Sequence, residues 1–378
     1  MKRYLFDAIQ TDIEKKMIFL GGPRQVGKTT LARMVGASMY GNAVTYLNRD
    51  NIDDKKRIVR ASYDTGSKLI IFDEIHKFDG WKNFIKGEYD TKKDTYNFLV
   101  TGSSRLNVYQ KGGDSLLGRY FYFRLHPYSY AECIKNGEKE SDILAMLLQF
   151  GGFPEAYHAR NERDRRRWIR DRTTKIVRED IRDLTNIEQI GKLELYVSLI
   201  ESKVGSPFSI ASCTGDVGVT HKTLSHRTDI LEYMYYLRRI YPLQSTRIKS
   251  LRKEPKLYLR DRSEVENIGS RIENMIGSHL LKRVHFQQDV FGHEIELHYL
   301  KDQEGREVDF ALTNKGIVTH CIEVKKSDTT PSPHLHYFVK KLQPEHAIQV
   351  VYNLDPSYDR ITNGIRVVGA QKFLSELV

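Results

Sequence analysis

The chain is poor in the features that would place it outside a reducing, aqueous compartment. Its three cysteines, Cys133, Cys213 and Cys321, lie far apart and form no pair at metal-ligand spacing, which excludes a disulfide-stapled scaffold and a cysteine zinc site. No apolar run approaches the roughly 20 residues needed to cross a bilayer, so no membrane partner is expected. The opening residues Met1-Lys-Arg-Tyr-Leu-Phe-Asp7 contain no apolar core followed by a cleavage site, and no secretory signal is expected. Internal repeats, low-complexity tracts and obvious linkers are also lacking. The expectation is a cytoplasmic globular protein.

What is present is length and basic charge. At 378 residues, two or three domains are expected, each able to bury a core. Hydrophobic residues make up 40% and charged residues 29%, ordinary for a globular chain. Sixty Lys and Arg against 49 Asp and Glu leave a net charge of +11. Such an excess attracts polyanions, of which nucleic acid is the commonest in the cytoplasm.

The densest chemical signal lies near the start. A short apolar strand, Met17 to Leu20, runs into Gly22-Pro23-Arg24-Gln25-Val26-Gly27-Lys28-Thr29-Thr30, and a helical pattern follows. Strand, then G-x-x-x-x-G-K-[ST], then helix is the context of a phosphate-binding loop. The glycines let successive amides face one anion, and the helix N-terminus adds partial positive charge. Lys28 is expected on the β- and γ-phosphates, with the Thr29 hydroxyl in the shell of a Mg²⁺ ion. The cofactors expected are ATP and Mg²⁺.

A second acid is needed for the metal. The apolar run from Lys68 ends in Asp73-Glu74, reading as a strand buried on both faces of a parallel sheet. Asp73 would hold Mg²⁺ at the strand's C-terminal end, and Glu74 would polarise a water. A third strand, Tyr96 to Val100, ends in Thr101-Gly-Ser103-Ser104. Ser103 is either a γ-phosphate sensor or the cap of a turn. Arg119, before another apolar segment, either stabilises charge on a neighbouring subunit's nucleotide or sits on the surface.

The middle of the chain carries two basic stretches. From Arg160 to Leu184, apolar or small residues Ile169, Thr173, Ile176, Val177, Ile181 and Leu184 recur at helical spacing among many arginines, an amphipathic helix whose charged outer face either is solvated and laced with ion pairs or contacts DNA. Further on, Ser209–Cys213 reads as a short helix, Asp216–Val219 as a turn and Thr220 as the cap of a second helix. That order matches helix-turn-helix. Leu224, Thr228, Leu231 and Met234 point inward, while His221, Lys222, Ser225, His226 and Arg227 form a polar face suited to phosphates and base edges. A basic ribbon with Lys249, Arg252, Lys253, Lys256 and Arg260 would be the wing. The element either contacts DNA or docks on its own ATPase core.

The last third holds a second constellation. Glu307-Val-Asp309-Phe-Ala-Leu312 alternates, turns at Asn314-Lys-Gly316 and returns through Glu323-Val-Lys325. Glu323 and Lys325 are two apart on a strand and share a face, with Asp309 on the partner strand. Ile272, Ile276 and Leu280 mark a helix that would bring Glu273 to the same spot. One acid followed by Glu-x-Lys resembles the PD-(D/E)xK nuclease core, where carboxylates hold Mg²⁺ and the lysine orients a water. Such a core either cleaves or only binds DNA.

Taken in order, Gly22–Leu31, Phe72–His76, Thr101–Ser104, Gly118-Arg119 and Gly151-Gly-Phe-Pro-Glu155 resemble the prokaryotic AAA-type ATPases that carry an uncharacterised C-terminal domain on a nuclease-like core. The resemblance implies an α/β protein: a P-loop AAA-type ATPase domain over 1–157, a helical lid and winged helix over 158–262, and a restriction-endonuclease-like domain over 263–378. The segment Pro255–Asp261 matches the family's pattern, but Arg262 follows where glycine is usual, leaving the role of Asp261 open. Three readings compete: an ATP-driven DNA-binding or DNA-processing protein, a regulatory switch binding a protein partner, and an ATP-gated nuclease. Homo-oligomers are compatible with each.

Overall fold

The computed structural model describes residues 1–102, 116–180, 190–244, 253–355 and 357–378. Ser103 and Arg252 therefore lie outside the described residues. The chain divides into two compact units, Met1–His126 and Pro127–Val378. The second takes in both stretches expected as separate middle and C-terminal domains, together with the end of the expected ATPase domain.

In the first unit, α1 (Phe6–Asp12) precedes β1 (Met17–Gly21), α2 (Lys28–Tyr40), β2 (Val44–Asn48), α3 (Ile52–Val59), β3 (Leu69–Asp73), α4 (Trp81–Lys92), β4 (Asn97–Gly102) and β5 (Tyr120–Arg124). The strands lie in the order β2-β3-β4-β1-β5, all parallel. β1 and β3 are buried along their whole length, as their unbroken apolar runs require. Phe19, Phe72, Phe98 and Ile70 meet in one core. β4 stands between β1 and β3, so the ends of all three strands gather at one edge.

In the second unit the basic stretch forms the helix Glu162–Thr174, continued by a π-helical turn over Lys175–Asp180. Its buried residues are Trp168, Arg172, Ile176 and Val177; Ile169 and Thr173, expected inward, are only partly covered. Arg172 can lie inside because its Nη1 meets Glu264 Oε1 at 2.8 Å and its guanidinium lies 4.5 Å from the Phe153 ring. The run Thr214–Val217 is helical, and Gly218 (φ 64°) makes the turn to the helix His221–Tyr233. The turn expected over Asp216–Val219 thus begins two residues later. A two-stranded hairpin follows, β6 (Leu237–Ile240) antiparallel to β7 (Lys256–Leu259).

The helix Ile268–Phe291 opens the C-terminal part, followed by β8 (Ile295–Lys301), β9 (Glu307–Asn314), β10 (Ile317–Lys325), the helix Pro333–Leu342, β11 (His346–Val351), β12 (Asp359–Thr362) and β13 (Ile365–Gly369). The mixed sheet runs β12-β13-β11-β10-β9-β8. The β9–β10 turn holds Lys315 and Gly316 at φ 49° and 78°, the two positive values that a tight hairpin demands. Gly151 and Gly152 are also more than a turn: a Cβ on Gly151 would lie 2.4 Å from Asp261 Oδ1, and one on Gly152 2.6 Å from the Tyr128 carbonyl. Asp261 itself accepts from the Ser263 amide (3.1 Å) and hydroxyl (2.9 Å). It caps the short turn Arg262–Glu264, in the place where glycine was expected to follow.

His279, on the long helix, accepts from the Tyr130 amide at 3.0 Å and donates to the Met275 carbonyl at 2.8 Å. Burial is the main force that lowers its pKa from 6.5 to about 3. The folded value lies below the unfolded one, so the stabilisation is complete above pH 6.5 and is lost as pH falls toward 3. By pH 5 the loss is about 2 kcal/mol. Urea midpoints at pH 7 and pH 5 should show this difference, and His279→Gln should flatten it.

Candidate functional site

The loop after β1 curls through three unusual backbone positions, Gly22 (φ 151°), Gln25 (φ 61°) and Gly27 (φ 97°). A Cβ on Gly22 would stand 2.5 Å from the Leu125 carbonyl oxygen, so glycine is needed there for close approach as well as conformation. Pro23 and Val26 are buried, Arg24 is partly covered, and Gln25 and Thr30 are exposed. Arg3 donates from Nη1 to the Val26 carbonyl at 2.7 Å and from Nη2 to the His126 carbonyl, clamping the loop from the N-terminal segment. Lys28, only 6% exposed, folds back so that Nζ donates to the carbonyls of Gly22 (3.0 Å) and Pro23 (2.8 Å). The loop thus brings an ammonium group and the N-terminus of α2 together.

Asp73 forms the other wall. It is 3% exposed and accepts from three hydroxyls: Thr29 (2.8 Å) and Tyr46 (2.6 Å) on Oδ2, and Thr101 on Oδ1. Burial and the bond to Asp73 push the Tyr46 phenol up to about 12. The Arg33 guanidinium stacks 3.9 Å from the Tyr46 ring. Mg²⁺ ordinarily takes one or two carboxylates and fills its shell with phosphate and water. The adjacent Thr29 hydroxyl and Asp73 carboxylate fit that donor set. No group of three or more His, Cys, Asp or Glu able to hold a metal occurs among the described residues.

Glu74 follows Asp73 in the left-handed region, φ 55°, which turns its side chain out of the strand's alternation. Its Oε2 lies 3.7 Å from His76 Nε2 and 3.9 Å from Lys77 Nζ. Burial holds the His76 imidazole below its ordinary pKa despite Glu74. Arg119 stands elsewhere. Its carbonyl accepts from the Met17 amide at the entry of β1, whereas the phosphate loop leaves β1 at Gly21. Arg119 Nε and Nη2 form a fork on Asp90 at 2.6 and 3.1 Å. It does not reach this chain's own loop.

On the helix His221–Tyr233, Lys222 is exposed but Arg227 is 4% exposed, its Nε and Nη1 without a hydrogen-bond partner. Arg227 is thereby corrected from a DNA-facing residue to a buried one. Leu224, Arg227, Thr228 and Leu231 are spaced i, i+3, i+4, i+7, so Arg227 shares the inner stripe. Lys256 and Arg260 of the basic ribbon are likewise buried, while Lys253 is exposed.

The C-terminal acids do gather. Asp309 Oδ2 accepts from the Val324 amide at 2.9 Å, and Lys325 Nζ donates to Glu323 Oε1 at 2.7 Å. Glu273 Oε1 accepts from Tyr258 at 2.7 Å and from Lys256 at 3.1 Å. Burial and the neighbouring Asp309 charge push the Glu273 and Glu323 carboxyls above their ordinary pKa, while the Lys256 ammonium pulls both back down. Lys256 also meets Glu307 at 2.7 Å and Asp309 at 3.3 Å. Burial works against its charge, yet the three carboxylates hold its pKa above the ordinary value. Neither Lys256 nor Tyr258 was recognisable from sequence, since both come from β7 and reach the acids only through tertiary packing.

Known proteins give the class first. Residues 14–134 match the model of the AAA domain, so the chain carries an AAA-type P-loop domain. Residues 141–265 and 268–373 match two domains of unknown function, DUF8612 and DUF4143. Among particular proteins, an uncharacterised protein of Mycobacterium tuberculosis is 26% identical over 247 residues, 65% of this chain and 54% of its own length. An uncharacterised protein of Methanocaldococcus jannaschii is 24% identical over 310 residues, covering 68% of this chain and 64% of that protein. The chain thus spans about half the length of the mycobacterial relative. Of solved structures, the RuvB Holliday junction branch migration motor of Thermotoga maritima aligns at 19% identity and a TM-score of 0.32, covering 62% of this chain and 87% of that one. The Orc1 protein of Aeropyrum pernix, solved in complex with DNA, aligns at 16% and 0.34, covering 73% and 92%.

Proposed function

We propose that the chain binds ATP with Mg²⁺ at residues 22–30, hydrolyses it, and uses nucleotide state to control contact with DNA. The observation that carries this reading is the meeting of Thr29, Asp73 and Lys28 around one loop, with the Thr29 hydroxyl bonded to Asp73 at 2.8 Å. In it, loop amides and Lys28 bind the phosphates, and Thr29 with Asp73 would hold the metal. Bound Mg²⁺ supplies charge neutralisation on the phosphates. Glu74 orients the attacking water and accepts its proton. Thr101, already bonded to Asp73, reports the state of that carboxylate, alongside Ser103. Arg119 acts only in an assembly, on a neighbouring copy's nucleotide.

DNA contact in this reading falls to Lys222 and Lys253, with Arg252 as a further candidate. Burial of Arg227, Lys256 and Arg260 favours a second reading, a switch that binds a protein partner and uses ATP as a timer. ATP turnover with single-stranded, duplex and branched DNA separates the two. Stimulation that fades steeply with salt, and weakens in Lys222→Ala/Lys253→Ala, is the expected result. No effect of any DNA at low salt supports the partner switch.

A further inference from the structure

The cluster formed by Glu273, Glu307, Asp309 and Glu323 has the composition of a metal site but is filled from within the protein. We infer that the Lys256 ammonium occupies the place a divalent cation would take among Glu273, Glu307 and Asp309, making the cluster a salt-linked anchor for β7 instead of a metal-dependent centre for cutting phosphodiesters.

The geometry is that of a satisfied ammonium. Nζ lies 3.1 Å from Glu273 Oε1, 2.7 Å from Glu307 Oε1 and 3.3 Å from Asp309 Oδ1. Three N–H donors thus meet three carboxylates, and the Lys256 side chain is 1% exposed. A divalent ion entering the same space would face a like charge whose side chain is almost wholly buried. Of the remaining acceptors, Asp309 Oδ2 takes the Val324 amide and Glu307 Oε2 meets Lys301 at 3.1 Å, while the Tyr258 hydroxyl is a second donor to the same Glu273 Oε1 that Lys256 meets. Lys325, the residue expected to orient a water, is bonded to Glu323. Glu323 Oε2 is buried and without a hydrogen-bond partner, but one oxygen is too little for a metal shell.

The same contacts show what the cluster does. Lys256 and Tyr258 both bond to Glu273, and one residue further the Leu259 amide and carbonyl bond to Asn274 at 2.8 and 3.0 Å. Both Glu273 and Asn274 lie on the helix Ile268–Phe291. The strand is therefore riveted along its length to that helix, and β6 follows through the hairpin pairing. Through Lys256 the hairpin is also tied to Glu307 and Asp309 of the C-terminal sheet. This inference does not depend on the nucleotide reading.

The test is Mn²⁺ titration of the nucleotide-free full chain, followed by the electron spin resonance of free Mn²⁺, on wild type, Asp309→Asn, Lys256→Met and the double variant. Wild type and Asp309→Asn should bind Mn²⁺ equally weakly. Lys256→Met should gain a site about tenfold tighter or more, absent from the double variant. A wild-type site that Asp309→Asn removes would overturn the inference. So would Mn²⁺-dependent nicking of supercoiled plasmid that Asp309→Asn abolishes, or a folded Lys256→Met that gains no site. If Lys256→Met fails to fold, the comparison of wild type with Asp309→Asn decides alone.

Discussion

Lys28→Ala is expected to lower ATP turnover by about 100- to 1,000-fold, the usual effect of removing one preorganised donor from developing charge. Lys28 is the one lysine within the loop, and its Nζ already rests on the carbonyls of Gly22 and Pro23. Truncation removes the cation and its two bonds to the loop carbonyls, so a stability loss of about 1–3 kcal/mol accompanies it. The loss of turnover and nucleotide affinity should far exceed what that unfolding shift explains. Steady-state phosphate release with matched denaturation curves measures both. A variant that kept wild-type turnover would place hydrolysis elsewhere, or in a contaminant.

The second large effect concerns stability. Arg172 and Glu264 pair at 2.8 Å with side chains 1% and 3% exposed. Glu264 belongs to a chain of groups: the Tyr236 hydroxyl lies 2.9 Å from Glu264 Oε2 and 2.6 Å from Glu201 Oε1. One hydroxyl hydrogen serves only one of them at a time, and burial pushes both carboxyls above their ordinary pKa. Arg172→Met leaves Glu264 without its cation and is expected to cost about 3–5 kcal/mol. Glu264→Leu should cost a comparable amount, whereas the double variant should recover much of it, because replacing both partners by apolar groups is often close to neutral. With Trp81→Phe removing the only other tryptophan, Trp168 fluorescence follows this region, since Arg172 lies 5.6 Å from that ring. Additive losses in the double variant would show that the pair is not coupled.

The parts legible in the sequence were those encoded locally. The phosphate loop needs glycine at fixed positions, and β1 and β3 need unbroken apolar runs, so both could be read residue by residue. The C-terminal hairpin was equally clear, because alternation and an Asn-Lys-Gly turn set its register. Tyr46 and Arg3 were not, since they reach Asp73 and Val26 across 27 and 23 residues of chain, and no local pattern marks them. Thr101 lies in the expected sensor segment, and its bond to Asp73 forms across 28 residues of chain, so no local pattern marks it. Arg227 differs: its residue type points to solvent, while its i+3 relation to Leu224 puts it on the inner stripe of the helix, where it is buried. Lys256 looked like one more surface cation in a basic ribbon. Only tertiary packing reveals that three carboxylates surround it.

The loop at residues 22–30 is the proposed nucleotide site, on which the roles of Asp73, Glu74 and Thr101 depend. Calorimetric titration of ATP with Mg²⁺ into the full chain and into Lys28→Ala tests this most directly. One saturable site per chain in wild type, lost or greatly weakened in Lys28→Ala, is the result expected. No saturable binding in wild type, or equal binding in both proteins, would contradict it.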